Sequence, residues 1–263
     1  VLDTIDDGGT MPSPTGTLRT PGLHRLAAVV AGAALGACAA NGGDETMLVL
    51  KSVAPPITAT GGVCLFTAQE TEAGLVHGVL DVSAGFGYQF VAQVKSRVTA
   101  AAGQEDARTI FLRGANVDLA FPEAGTLGAQ IADLQSRGLL HFMAPISGAL
   151  APNGSLADAG FELVPAGVAA ALNAAPGFTS TVVQATFTVV GDLAGGNATS
   201  QEFHYSVTLG KQILLANRGP CSALPSSFTA RTGNVCYPGQ DFVIDCCTSP
   251  TSMAVCPAVG TGM

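Results

Sequence analysis

Tryptophan is absent from this 263-residue chain and tyrosine occurs only three times. That removes most of the flat rings a sugar- or base-binding face would use. Charge is also scarce: Asp, Glu, Lys and Arg together make up 11% of the sequence, and the formal balance is −8. No run of Lys and Arg occurs, which argues against nucleic acid or an anionic membrane face as partner, because counterion release depends on clustered cations. Common catalytic spacings are missing as well. There is no Gly-x-Ser-x-Gly elbow, no His-Glu-x-x-His and no Gly-x-x-x-x-Gly-Lys loop. With no Cys-x-x-Cys pair and no His after His204, a zinc set cannot be assembled by spacing, and neither a metal nor a cofactor is expected.

Hydrophobic residues make up 48% of the chain, enough to bury a sizeable core, so extensive disorder is not expected. Near the start, Leu26-Ala-Ala-Val-Val-Ala-Gly-Ala-Ala-Leu35 follows Arg19, His24 and Arg25 and precedes Gly36-Ala37-Cys38. A basic region, an apolar run of about ten residues and small residues at the cut have the layout of a secretory signal peptide. The apolar run is too short to span a bilayer, which needs about twenty residues. Val1–Thr10 carries three acids and no base, so Met11 reads as the start of the leader.

Leu35-Gly36-Ala37-Cys38 resembles the lipobox of bacterial lipoproteins, in which the cysteine receives lipid and becomes the first residue of the mature chain. The resemblance implies lipidation at Cys38 and a membrane partner reached through that lipid. Ala39, where Asp would favour inner-membrane retention, implies the outer membrane. The tail from Cys236 to Cys247 also resembles the endings of bacterial outer-membrane lipoproteins with no assigned role, and it carries no catalytic residue to transfer. The expected organisation is a leader over residues 1–37, a lipidated tether over 38–46, a β domain over 47–220 and a Cys-rich tail over 221–263.

With Cys38 assigned to lipid, six cysteines remain: Cys64, Cys221, Cys236, Cys246, Cys247 and Cys256. In an exported chain an even set reads as three disulfides. Connectivity stays open. A Cys64–Cys221 bridge would close nearly the whole domain, and the neighbours Cys246 and Cys247 should take different partners, since a bond between adjacent residues is strained.

Period-two alternation is clearest from Tyr88 to Val98, with Tyr88, Phe90, Ala92, Val94 and Ser96 on the inner face and Gln89, Gln93 and Lys95 on the wet one. Thr109 to Phe121 alternates too, but its phase slips at Gly114, where a bulge is expected. Val183–Val189 and Phe203–Leu209 form a predicted hairpin with a long tip at Asp192–Ser200. Further strands are expected at Met47–Val53, around Val63–Phe66 and at Leu139–Ile146, the last an edge because of Pro145. Leu127, Ile131 and Leu134 suit a short helix, and the Ala-rich stretch Pro165–Ala175 another.

Seven or eight strands with one or two short helices predict an all-β fold, an antiparallel β-sandwich of immunoglobulin-like kind with a disulfide-tied tail. His77 and His141, in apolar company, read as core histidines, and His204 as solvated. Asp241 and Asp245 read as solvent-facing turn acids. The expected function is a non-enzymatic, lipid-anchored envelope protein that binds a protein or an envelope polymer through the loops Ala101–Arg108 and Asp192–Ser200. The alternative is a secreted hydrolase-like enzyme whose site is dispersed along the chain.

Overall fold

The structure, a computed structural model, describes residues 45–55, 66, 68–123, 125–234, 236–251 and 254–255. The leader, Cys38, most of the tether, Cys64, most of the strand expected around Val63 and Cys256 lie outside the described residues. The fold is mostly β, with 48% strand, multiple antiparallel sheets and two short helices.

One sheet contains β1 (Met47–Val53), β2 (Gly74–Leu75), β4 (Tyr88–Ser96) and β7 (Leu156–Val164), in the order β2-β1-β4-β7 and antiparallel throughout. A second contains β3 (Gly78–Asp81), β10 (Phe203–Gly210), β8 (Ser180–Leu193), β5 (Ile110–Ala120) and β6 (His141–Leu150), in the order β3-β10-β8-β5-β6. β9 (Gly196–Thr199) folds back on β8. A small third sheet joins β11 (Leu215–Pro220), β12 (Ile244–Thr248) and β13 (Ala254–Val255).

Inward residues of the first two sheets share one core, and its centre is aromatic. Phe90 of β4 lies 5.1 Å from Phe187 of β8 and 4.8 Å from Tyr205 of β10, both edge-on, and Phe161 of β7 lies 5.2 Å from Phe187. Edge-to-face pairs of this kind add about 0.5–1.5 kcal/mol each beyond their buried area. Leu134 of α1 (Gly128–Ser136) and Val168, Ala169 and Leu172 of α2 (Ala166–Ala174) are buried in the same core.

The slip at Gly114 is a true irregularity: β5 shifts register between Leu112 and Gly114 against both of its neighbours. A Cβ at Gly114 would lie 2.7 Å from the Ala144 carbonyl, so this crossing requires glycine. β6 is the sheet edge, as Pro145 implies.

Four expectations are corrected. The sheets are not wholly antiparallel, because β3 runs parallel to β10 and β11 parallel to β12. The outer face of β4 is not wet throughout: Gln93 is fully buried, since the segment around Gln69–Glu72 covers it and takes its side-chain N–H bonds. The long tip at Asp192–Ser200 is instead a tight hairpin, in which Leu193 pairs with Gly196 across Ala194 (φ 36°) and Gly195 (φ 85°). Left-handed values at both central residues match the twist of the flanking strands. Finally, Cys221 pairs with Cys247, not with Cys64, closing a separation of 26 residues between the end of β11 and β12.

The tail is woven into the sheets. Its Gln240 forms an antiparallel bridge with Leu80 of β3: the Asp81 amide donates to the Gly239 carbonyl at 2.8 Å, and the Asp241 amide to the Val79 carbonyl at 2.8 Å. β3 thus has β10 on one side and the tail on the other. A Cβ on Gly239 (φ 75°) would come within 2.4 Å of the Ala84 Cβ, so the close passage depends on glycine.

Candidate functional site, a cleft at the tail–sheet junction

Where the tail crosses the start of β4, it leaves a cleft of about 340 Å³ lined by Phe86, Gly87, Gln89, Glu162, Ala166, Cys236, Tyr237 and Pro238. A volume of this order lies in the range of small-molecule sites. Three segments build it.

The first is the turn after β3. Asp81 caps a 3-10 turn at Val82–Ala84, Gly85 (φ 79°) ends it, and Phe86 emerges 52% exposed. Gly87 follows, and its missing side chain is needed: a Cβ there would lie 2.1 Å from Glu162 Oε1 and 2.5 Å from the Val164 carbonyl. That space lets Glu162, near the end of β7, reach the first turn of α2, where its Oε1 accepts from the Ala166 amide at 2.9 Å. A carboxylate there suits the helix N-terminus.

The tail supplies the third wall. Tyr237 stacks on Phe66 with centroids 6.4 Å apart, and burial raises its phenol pKa. Cys236 is disulfide-bonded, so it offers no thiolate. The tail is held by Gln240, which is 1% exposed: its Nε2 donates to the Gln89 carbonyl at 2.8 Å, and its Oε1 accepts from the Gln89 amide at 2.9 Å. One side chain thus serves as a strand partner for β4.

Behind the cleft lies a polar cluster. The Tyr88 hydroxyl, fully buried, is 3.1 Å and 3.2 Å from the two oxygens of Asp241 and 3.2 Å from the Tyr205 hydroxyl. Asp241 also accepts from the Val79 amide at 2.9 Å and from Gln240 Nε2 at 3.0 Å, and it sits at φ 61°. Burial raises its pKa, partly opposed by those hydrogen bonds. Burial, reinforced by the Asp241 charge, likewise holds the Tyr88 phenol far above its ordinary range. These groups lock the tail to the sheet.

Of the acids read as solvent-facing, Asp241 is thus half-buried with its carboxylate hydrogen-bonded, and Asp245 is internal. Asp245 is 3% exposed at its side chain and lies between Arg231 Nη2 at 2.7 Å and Arg218 Nη2 at 2.8 Å, with Arg231 chiefly holding its pKa well below the carboxylate range. Sequence missed this because neither arginine is near it in the chain. It also missed Glu162, Tyr237 and Gln240, although the glycines at 87 and 239 hinted at close backbone approaches.

Two histidine readings, those of His77 and His141, are corrected too, while His204 is solvated as expected. His77 and His141 are exposed, as is His204. His141 bonds Asp118, His204 Nδ1 lies 3.0 Å from Thr186 Oγ1, and His77 Nε2 lies 2.8 Å from Thr208 Oγ1. Register sets His141, Asp118, Thr186 and His204 in one row across β6, β5, β8 and β10. At His141 apolar sequence neighbours misled because strand alternation, not local composition, decides which face a residue takes, and His77 lies in the bend between β2 and β3.

Of the cysteines, Cys221, Cys236, Cys246 and Cys247 are all disulfide-bonded. The loop at Ala101–Arg108 is exposed, and Arg108 and Leu193 line one shallow hollow with Glu45 and Arg97. Among the described residues no group of three or more His, Cys, Asp and Glu side chains is placed to hold a metal ion, and no helix is long and apolar enough to cross a membrane.

No family model, no curated protein and no solved structure matches the chain.

Proposed function

We propose that this chain is an exported, lipid-anchored binding protein of the cell envelope, non-enzymatic, with an immunoglobulin-like sandwich as its scaffold. The observation that carries the reading is the oxidation state of the tail: every cysteine among the described residues is in a disulfide. Such bonds persist in oxidising compartments and are rare in the cytosol. The lipobox resemblance at Leu35–Cys38 supplies an address within such a compartment, the outer membrane. Two facing sheets joined by the Phe90–Phe187 contact support the sandwich reading.

Binding is favoured over hydrolysis by how the polar groups are used. A secreted hydrolase would draw on pairs such as Thr186–His204, but that pair stands on an exposed sheet face, and Asp118 in the same row is taken by His141. A triad needs the carboxylate on the histidine that meets the nucleophile. The cleft, by contrast, offers rings and one carboxylate without a nucleophile. The anchor is tested by Cys38→Ala in the native host. The expected result is accumulation of uncleaved precursor and loss of partitioning into detergent; normal processing with unchanged partitioning would overturn it.

A further inference from the structure

Unlike the hollows bordered by Ala129 and Pro176, by Arg231 and Phe242, and by Glu45 and Arg97, the tail–sheet cleft combines aromatic rings with a carboxylate and no cationic side chain. Phe86 stands half in water, an arrangement that covering by a ligand would relieve. Tyr237 is held in place by its stack on Phe66 and by the Cys236 disulfide beside it. Glu162 Oε1 is engaged by the helix amide, which fixes the carboxylate in the wall. Pro238 and Ala166 complete an apolar lining.

Ring faces carry a negative quadrupole, so a cation over them is attracted, the more so when it is desolvated. A carboxylate in the same wall adds a charge of the right sign. An anion would meet the Glu162 charge with no cationic side chain in the lining to offset it, and a neutral apolar ligand would bury that charge with only the Ala166 amide to compensate it.

We propose that this cleft binds an organic ammonium group, seated against Phe86 and Tyr237 with Glu162 as counter-ion. The inference deepens the binding role proposed above and rests on it, naming the ligand chemistry. Such a group could be the head of a small amine or a free amine borne by an envelope polymer, and the two sources separate experimentally.

Calorimetric titration of the purified, folded, oxidised protein with choline and with its neutral carbon analogue 3,3-dimethylbutanol tests the chemistry. Choline should bind about tenfold more tightly than the neutral analogue. Glu162→Gln, which keeps an oxygen for the Ala166 amide, should erase that preference, and Phe86→Leu should weaken choline about fivefold with unchanged melting temperature. Sedimentation with insoluble cell-wall material before and after acetylation of its amines tests the other source. Choline preference assigns a small amine, and wall binding lost on acetylation and on Glu162→Gln assigns the polymer. Absence of both, or wall binding indifferent to acetylation with no choline preference, overturns the proposal. Because the titration does not depend on the anchor, processing of Cys38 can succeed while the cleft assignment fails, and the reverse.

Discussion

Asp81 and Asp158 are both shielded from water, and the chain treats them in opposite ways. Asp81, at the end of β3, is fully buried and accepts from four amides: Ser83 and Gln212 at 3.0 Å on Oδ1, Leu214 at 3.0 Å and Leu215 at 3.1 Å on Oδ2. Its carboxylate organises the loop between β10 and β11. Asp158, on β7, has two inaccessible oxygens with no hydrogen-bond partner. Burial, with the Glu72 charge next and Lys51 opposing, raises its pKa from 3.8 to about 6. A buried carboxylate stabilises only where donors have been aimed at it.

The largest effect is therefore expected at Asp81. Asp81→Ala strands four amides in the interior and should lower stability by about 4 kcal/mol in urea titration, since each unmade buried bond costs about 1–3 kcal/mol. A loss below about 1 kcal/mol would mean that water or a shifted loop replaces the carboxylate.

The same region is also tied by Cys221–Cys247, so the second break is covalent. Replacing both cysteines by serine should reduce stability by about 3.5 kcal/mol in the chain-entropy account, for a separation of 26 residues. If Asp81 and the disulfide hold one cooperative element, the double lesion should depart from additivity, which a thermodynamic cycle would register.

Asp158 gives the smallest effect and the opposite sign. Its folded-state pKa lies above the unfolded value, so the folded state binds the proton more tightly. Its destabilising contribution is absent below about pH 4 and is complete once pH has risen through about 6. At this half-buried position solvent screening leaves about 1 kcal/mol of the full shift. Asp158→Asn should raise stability by about that amount at pH 8 and change nothing at pH 4. Equal gains at both pH values would show that ionisation is not the cause.

What could be read from the sequence follows the same division. Segments with their own alternation, such as the inner face of Tyr88–Ser96, the bulge at Gly114 and the paired runs Val183–Val189 and Phe203–Leu209, were legible because period two marks the core-facing side chains without knowledge of any partner. The burial of Gln93 on the other face depends instead on a covering segment. β2, β3, β9 and β12 are two to five residues long and owe their conformation to neighbours far along the chain, so no local pattern announces them. The cleft was hidden for the same reason: Phe86, Glu162 and Tyr237 come from three segments, and only tertiary folding brings them together. Asp241 and Asp245 misled because a lone Asp reads as solvent-facing until its donors, most of them distant in the chain, are in place.

The wedging of the tail beside β3 bears on how the molecule comes into being. A strand that begins at Gly78 waits for Phe203–Gly210 and then for Gln240 and Asp241, and Val49 is bracketed by the side chain of Gln201. Such high contact order makes folding slow relative to helical chains. A ribosome must deliver residue 241 before the early strands acquire both neighbours. Until then the early strands keep edges without neighbours, which leaves them open to premature association.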